Sequence, residues 1–204
     1  VKLYTTTEGS GDVSDLTTDE LIAYAARVSS TRVDKKKDFE KLLKYLIDNK
    51  HWSPFELVDI TLEIKAPLYI STQPLRHRSF SFQQYSRRYG SENPVFYVPE
   101  LRKKAKDNRQ GSEELIEGFN GDINNSSHPV RVVLDQIRDT YEWLLEAGVA
   151  PECARAILPQ CTESTLYMKG SIRSWIHFLQ VRLDKHAQKE MQILLCDHAG
   201  IFAF

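Results

Sequence analysis

The chain has 204 residues, a length that suits one sizeable domain with its own hydrophobic core. Its apolar fraction of 41% and charged fraction of 27% exclude a disordered polymer, and no apolar run approaches the length of a membrane span. The net charge of -1 argues against a general nucleic-acid binder, because such proteins carry a broad excess of positive charge. Any cationic site must therefore be local.

Cysteine usage and the first residues indicate the compartment. Cys153, Cys161 and Cys196 are widely spaced and odd in number, so they predict neither a disulfide framework nor a metal site. Residues 5–15 are polar and do not resemble a secretory signal. We therefore expect a reducing, cytoplasmic setting, or the host cytoplasm if the source is a virus.

The N-terminal part of the chain predicts an edge strand followed by two helices. Residues 1–7 suit the strand. Thr17 and Glu20 have the spacing of a capping box, which predicts that the first helix begins there and ends near Ser29. A second, amphipathic helix ending near Asn49 is predicted by apolar residues at helical spacing. These residues are Phe39, Leu42, Leu43, Leu46 and Ile47.

The centre of the chain predicts a strand and then a break before a cationic stretch. Apolar and polar residues alternate over residues 58–65, which indicates a half-buried strand. Pro67 can begin a helix directed toward Arg76, and Pro74 interrupts it because proline lacks an amide hydrogen. Residues 95–98, between two prolines, are interpreted as another short strand.

The remainder predicts one surface insertion and four helices. Residues 103–128 are rich in Lys, Asn, Gly, Ser and acidic residues, so we expect an insertion on the surface, in which Leu115, Ile116 and Phe119 allow a short helix. The predicted helices cover residues 130–148, 151–158, 172–183 and 186–199. Because helices predominate, we predict an α+β protein, a single domain over residues 1–204 with a short β-sheet packed against amphipathic helices.

A cationic stretch at residues 76–89 is the strongest candidate for a binding site. It reads RHRSFSFQQYSRRY, with arginines at both ends and hydroxyls, amides and aromatic rings between them. Guanidinium groups match the geometry of phosphate, and Phe80, Phe82 and Tyr85 can pack beneath the polar groups or stack on a ring. This composition predicts capture of a planar, phosphorylated ligand, although a solvated basic surface would share it.

The order of residues in this stretch resembles the signature of the flavin-dependent thymidylate synthases (the ThyX family). That signature is R-H-R followed, after variable residues, by a run ending in S-x-R-Y. The matching positions are Arg76, His77, Arg78, Ser81, Ser86, Arg88 and Tyr89. Gln84 departs from the pattern, because the family commonly has Glu there.

Five further segments resemble motifs of the same family, in the same order along the chain. They are ARVS at 26–29, HWSPFE at 51–56, AR and LP at 154–155 and 158–159, SIRSWIH at 171–177, and RLDKHAQKE at 182–190. Only residues 103–128 have no match. The order of the motifs across nearly the whole chain argues against coincidence, although each is weak alone.

The resemblance implies which residues contact FAD. They are Ser29, Ser53, Arg76, His77, Arg78, Gln84, Ser171, Arg173, His177 and His186. His51 and Glu56 would line the same side of the FAD site. Ser171 is a mild departure, because Asn is common at that position. Arg173 and His177 are four residues apart on a predicted helix and share a face, as in any amphipathic surface helix.

The resemblance also implies a dUMP site. Its residues are Gln73, Arg76, Gln84, Tyr85, Ser86, Arg87, Arg88, Arg155 and Arg182. Four of them, Ser86, Arg87, Arg88 and Arg155, would bind the phosphate, while Gln73 and Arg76 orient the base and ribose. Arg182 would be the catalytic residue, because a fixed cation favours uracil ionised at N3 and makes carbon 5 more nucleophilic. Cys153 is interpreted as a small packed residue rather than a nucleophile.

The implied activity is the reductive methylation of dUMP to dTMP. The carbon donor would be 5,10-methylenetetrahydrofolate, the reductant NADPH and the redox carrier FAD, in a homotetramer with shared sites and without nucleic-acid or membrane partners. Two alternatives stay open. The chain could be an FAD- and dUMP-binding homologue whose catalysis is impaired by Gln84, or a module that binds single-stranded nucleic acid through arginines interleaved with aromatic rings.

Overall fold

The computed structural model describes residues 1–28, 39–118, 125 and 127–196. The helices in this part of the chain are α1 Thr18–Ala26, α2 Phe39–Asp48, α3 Leu68–Ser71, α4 Pro129–Glu146, α5 Pro151–Ala154, α6 Ile172–Arg182 and α7 Lys189–Cys196. The strands are β1 Lys2–Thr6, β2 Asp59–Pro67, β3 Ser81–Gln84, β4 Arg102–Lys104, β5 Ser112–Leu115 and β6 Glu163–Ser171. This mixture confirms the predicted α+β class.

The strands form two sheets. The larger has the order β1-β2-β6-β3, with β1 antiparallel to β2, and the smaller is the antiparallel pair β4-β5. Burial alternates along β2, where Ile60, Leu62 and Ile64 face inward, so the strand predicted over residues 58–65 is confirmed. No helix in the described part of the chain is both long and apolar enough to cross a bilayer.

Internal contacts divide the chain into two compact units. The first unit comprises Val1–Ile64, Leu75–Gln83 and Tyr167–Phe204, and the second comprises Lys65–Pro74 and Gln84–Leu166. The chain therefore passes between the units several times. The expectation of a single domain over residues 1–204 stays a prediction.

The first unit has an aromatic core built on helix α6. Trp175 and Phe178 are buried, and the Phe80 ring packs at 4.9 Å from Trp175 and 5.8 Å from Phe178. The Trp175 indole N–H donates to the Ile60 carbonyl at 3.1 Å, which satisfies the polar atom that burial would otherwise leave without a partner. A Cβ at Gly170 would lie 2.5 Å from the Phe80 ring, so only glycine permits this approach.

The two predicted N-terminal helices are confirmed. The Thr17 side chain accepts from the Glu20 amide at 3.4 Å, and the Glu20 carboxylate accepts from the Thr17 amide at 2.8 Å, which completes the predicted capping box. Helix α2 begins at Phe39 and ends at Asp48. Predicted residues of the first helix beyond Val28 lie outside the described residues.

Several predictions on either side of the cationic stretch are wrong in extent. The helix expected from Pro67 lasts only one turn as α3, but the predicted interruption at Pro74 is confirmed, because a separate 3-10 turn follows at Pro74–Arg76, where proline cannot donate to a continuing helix. Residues 95–98 form only an isolated bridge from Phe96 to Thr162, because the flanking prolines lack amide hydrogens for a ladder. Strands β3, β4, β5 and β6 were not predicted.

Further corrections concern the C-terminal half. The long helix is confirmed as α4, with Pro129 in its first turn and Gly148 following its end at a φ of 82°. The helix predicted over residues 151–158 is α5 followed by a 3-10 turn at Arg155–Ile157. Leu115 belongs to strand β5 rather than to a short helix, since it pairs with Arg102.

The last predicted helix begins later than expected. Helix α7 starts at Lys189, because the Asp184 carboxylate accepts from the His186 amide at 2.8 Å and holds that segment in a turn. The predicted continuation of this helix over residues 197–199 lies outside the described residues.

Substitution of Gly170 tests the aromatic packing. Gly170→Ala places a methyl group against the Phe80 ring, so we expect the free energy of unfolding to fall by about 1–3 kcal/mol. The control is Lys169→Ala, on the same strand, which removes only an exposed ion pair with Asp59 and should cost less than about 1 kcal/mol. Denaturant unfolding of both variants is the measurement. Equal stability of Gly170→Ala and the unmodified chain would contradict the close approach of Phe80.

Candidate functional site

The predicted site residues fall into two groups, one in each unit. The first unit contains Ser53, Arg76, His77, Arg78, Ser171, Arg173, His177, Arg182 and His186. The second unit contains Gln73, Gln84, Tyr85, Ser86, Arg87, Arg88 and Arg155. Ser29 lies outside the described residues. Nearly all residues expected to contact FAD therefore belong to the first unit, and most of those expected to bind dUMP belong to the second.

The first unit has a cleft of about 470 Å³ beside helix α6, within the size range of sites for small molecules. Its lining residues are Trp52, Glu56, Ser79, Arg173, Ser174, Ile176, His177 and Gln180. Arg173 and His177 both line it, as expected for positions four apart on one helix. The sequence did not identify Ser79, Ser174 or Gln180, because isolated polar residues on a loop or helix carry no distinctive pattern.

Glu56 organises the polar wall of this cleft. Its carboxylate accepts from the Ser171 hydroxyl at 2.6 Å and from the Arg173 guanidinium at 3.0 Å. The Ser171 hydroxyl also accepts from the Ser174 amide at 3.3 Å and caps helix α6. Ser171 is therefore engaged within the protein, whereas Arg173 is half exposed beside its carboxylate partner.

His77 and Arg182 form a hydrogen-bonded pair in the first unit. The Arg182 Nε donates to His77 Nε2 at 3.1 Å, which requires that nitrogen to be unprotonated. Burial, the charge of Arg182 and the nearby His177 lower the pKa of His77, and burial lowers the pKa of Arg182. The His77 ring also packs edge-on at 4.9 Å from Phe178. The sequence suggested a flavin contact for His77 but gave no indication of this partner.

Four other residues expected to contact FAD do not line this cleft. Ser53, Arg76 and Arg78 are exposed, and Ser53 begins the 3-10 helix Ser53–Glu56. His186 is exposed, and its ring Nδ1 lies 2.7 Å from the Asp184 carboxylate. Hydrogen bonds from the His186 backbone and side chain lower the pKa of Asp184.

The second unit has a smaller pocket of about 200 Å³. Its lining residues are Leu68, Gln84, Tyr85, Arg87, Arg155, Leu158, Thr162, Glu163 and Ser164. The pocket brings Arg155 together with Gln84, Tyr85 and Arg87, from which it is far in sequence. The Arg87 guanidinium lies 5.5 Å from the centre of the Tyr85 ring and donates to the Glu92 carbonyl at 2.9 Å. Two cations and an aromatic ring, against the single carboxylate of Glu163, can receive a phosphorylated, planar molecule.

Two serines accept hydrogen bonds from the side-chain amide of Gln84. Its amide nitrogen lies 3.2 Å from both the Ser71 and the Ser164 hydroxyl oxygens. Ser71 is 0% exposed and Ser164 6% exposed. No sequence pattern indicates either serine, because each lies more than ten residues from Gln84 and belongs to no recognised motif.

Arg88 has a different environment from Arg87 and Arg155. Its guanidinium donates to the Glu152 carboxylate at 3.3 and 3.1 Å, and both side chains are 53% exposed. Ser86 accepts from the Arg88 amide at 3.3 Å. Gln73 donates from its amide nitrogen to the Tyr69 carbonyl at 3.1 Å. Arg88, Ser86 and Gln73 are thus engaged within the second unit and do not line its pocket.

Comparisons with known proteins agree on one family. The family model described as "Thymidylate synthase complementing protein" matches residues 13–202. A flavin-dependent thymidylate synthase from Synechocystis is 44% identical over 180 residues, which cover 88% of this chain and 81% of the relative. A probable flavin-dependent thymidylate synthase from Paramecium bursaria Chlorella virus 1 is 42% identical, with 85% and 80% covered. The Kosmotoga olearia flavin-dependent thymidylate synthase is 36% identical, with 89% and 76% covered.

The match of the family model to residues 13–202 includes the segments that form the cleft and the pocket, and each of the three relatives covers at least 85% of the chain. The chain therefore belongs to the flavin-dependent thymidylate synthase family.

Proposed function

We propose that this chain catalyses the reductive methylation of dUMP to dTMP with FAD as its cofactor. The carbon donor would be 5,10-methylenetetrahydrofolate and the reductant NADPH. The observation that carries the proposal is the pocket of the second unit, where Gln84, Tyr85, Arg87 and Arg155 line one cavity in a chain of this family. A module for single-stranded nucleic acid has no comparable support.

The cleft of the first unit fits the chemistry of FAD. Arg173 would offer a guanidinium to the pyrophosphate, Trp52 would offer an aromatic face, and the Ser79 and Ser174 hydroxyls would offer hydrogen bonds to the ribityl chain. When bound, FAD supplies the redox chemistry that reduces the transferred one-carbon group to a methyl group. We propose that Arg173 and His177 hold the cofactor there, while Glu56 keeps the Arg173 guanidinium in place.

In the dUMP site, Arg87 and Arg155 would bind the phosphate. Both line the pocket, and guanidinium groups pair with phosphate in a bidentate manner. Arg88 would contribute less, because its guanidinium already pairs with Glu152. Gln73 and Arg76 remain the proposed contacts of the base and ribose, and Ser86 an additional phosphate contact.

Arg182 would be the catalytic residue. Its guanidinium Nε donates to His77, which accepts the hydrogen bond as a neutral imidazole, and this contact restrains the orientation of the side chain. A cation held in a fixed orientation stabilises negative charge as uracil N3 loses its proton. His77 would then orient Arg182, in addition to the flavin contact suggested by the sequence.

We also propose a cytoplasmic homotetramer with shared active sites. Helix α4 exposes Val132, Val133 and Trp143, at 40%, 53% and 63%, and a row of exposed apolar side chains is typical of a protein interface. Cys153, Cys161 and Cys196 are free, which suits a reducing compartment.

The central prediction is that the purified protein contains FAD and forms dTMP. We expect a yellow protein that releases FAD on denaturation and converts dUMP in the presence of methylenetetrahydrofolate and NADPH. The matched comparison is Gln84→Glu, which restores the residue common in the family. Binding of FAD and dUMP with dTMP formation only in Gln84→Glu would show that Gln84 disables catalysis, and a protein that cannot bind FAD would contradict the proposal.

A second prediction concerns phosphate capture. Arg155→Ala removes a charge-assisted hydrogen bond of about 1.5–3 kcal/mol, so the dissociation constant for dUMP should rise about 10- to 100-fold. Arg88→Ala should raise it less, because Arg88 pairs with Glu152 at the surface. The control is Arg109→Ala, an exposed arginine in the segment without a family match. Calorimetric titration of the three variants is the measurement, and an unchanged constant for Arg155→Ala would exclude this phosphate site.

A third prediction concerns Arg182 and its partner. Arg182→Ala should lower the turnover of bound dUMP by at least about 100-fold, while the FAD content stays near normal. His77→Gln keeps an acceptor oxygen but cannot be protonated, so it should retain most of this turnover. Turnover by Arg182→Ala within a few-fold of the unmodified chain would remove Arg182 from the catalytic role.

The same pair makes stability depend on pH. Because the pKa of His77 is lowered in the folded chain, the unfolded chain binds more protons between that pKa and about 6.5. The stability contributed by neutral His77 is thus present above about pH 6.5 and is lost as the pH falls toward the folded value. In His77→Gln this contribution to the pH dependence should disappear in unfolding experiments, and identical pH profiles for the two proteins would contradict the assignment.

A further inference from the structure

In the structure, the nitrogen end of the Gln84 amide faces the protein. The amide nitrogen lies 3.2 Å from both the Ser71 and Ser164 hydroxyl oxygens. An amide nitrogen carries two hydrogens, so these two acceptors satisfy both of its donors. Ser71 ends helix α3 and Ser164 lies in strand β6, so the amide is held between two regular elements.

The charges lining the pocket favour the same orientation. Arg87 and Arg155 line this pocket together with Gln84, and Glu163 is the one carboxylate among its lining residues, so cations outnumber anions there. The amide oxygen carries partial negative charge and is stabilised near guanidinium groups, whereas the amide hydrogens would be repelled by them. The oxygen is therefore the end of the side chain that suits the pocket, and the hydrogens suit the serines.

We propose that Ser71 and Ser164 are positioning residues that fix the Gln84 amide so that its oxygen accepts a hydrogen bond from the nucleoside part of the substrate. This inference rests on the proposed function. The phosphate dianion has no hydrogen to donate, so an acceptor at Gln84 cannot serve it. The donors that dUMP offers are its sugar 3′-hydroxyl and its ring N3–H, and Gln84 binds one of these while the arginines bind the phosphate.

Residue 84 can therefore be an amide without losing its function as an acceptor. A hydroxyl group can either accept or donate a hydrogen bond. The two serines accept from Gln84, and by rotating their hydrogens they would donate to a glutamate. In both cases one oxygen of residue 84 remains available to the substrate.

The test is a double-mutant cycle on dUMP affinity. Ser71→Ala and Ser164→Ala are each made in the unmodified chain and in Gln84→Ala, and dissociation constants are measured by calorimetry. With Gln84 present, each substitution should weaken binding about 2- to 12-fold, the range of one hydrogen bond. In the Gln84→Ala variant, the same serine substitutions should change the affinity for dUMP by less than about 2-fold, because the serines then have no amide to orient.

Two results would overturn the inference. Equal losses with and without Gln84 would mean that the serines act by another route, and no loss with Gln84 present would mean that they position nothing. Thermal unfolding of each variant verifies folding. If Ser71→Ala does not fold, the cycle between Ser164 and Gln84 decides the question alone.

Two analogues identify the donor. One is 2′,3′-dideoxyuridine monophosphate, which lacks the sugar hydroxyl, and the other is N3-methyl-dUMP, which lacks the ring N–H. Gln84→Ala should not weaken binding of the analogue that lacks the true donor, and it should still weaken binding of the other. A similar loss for both analogues would overturn the role of Gln84 as an acceptor.

The controls separate this inference from the proposed function. If the unmodified chain does not bind dUMP, both the proposed function and the inference are contradicted. Binding of dUMP by the unmodified chain, with no change in the serine variants, would overturn the inference alone.

Discussion

The cationic stretch depends on one apolar contact, the burial of the Phe80 ring in the core of the first unit. Phe80 packs against Trp175 and Phe178, and the missing side chain of Gly170 leaves the space that it fills. Arginines alone cannot anchor a segment, because their desolvation opposes burial and their side chains are flexible. The buried Phe80 ring in the middle of the stretch anchors the segment through apolar contacts instead. The Phe178 ring also contacts His77, so one apolar cluster restrains a polar group of the candidate site.

Two arginines of the first unit form hydrogen bonds to partners of different charge. Arg173 bonds to the Glu56 carboxylate, which offsets part of its charge, whereas Arg182 bonds to a neutral imidazole. The first arrangement suits a residue that orients a ligand through hydrogen bonds. The second restrains a guanidinium through a neutral partner, which suits the role proposed for Arg182 in stabilising a developing anion. The neutral state of His77 is thus part of the function proposed for Arg182.

Local patterns predicted the helices and two strands, β1 and β2, and failed where burial did not follow polarity. Helices α1 and α2 and strand β2 have regular apolar spacing or caps, so the sequence identified them. Strand β6 was missed because its inward positions include a polar residue, Ser164, where the alternation rule expects an apolar one. That serine binds Gln84. The local rule therefore failed at a residue whose burial is explained by a partner 80 positions away.

The site residues could be identified by motif order, but their partners could not, and this distinction matters most for Gln84. Replacing a carboxylate by an amide removes a charge and adds two hydrogens that need acceptors when buried. Motif comparison registers only the lost charge and so suggests impaired catalysis. The structure supplies both acceptors, Ser71 and Ser164, from segments that no motif connects with residue 84. A departure from a family pattern has to be assessed together with the residues that surround it, because they determine which chemical property has been lost.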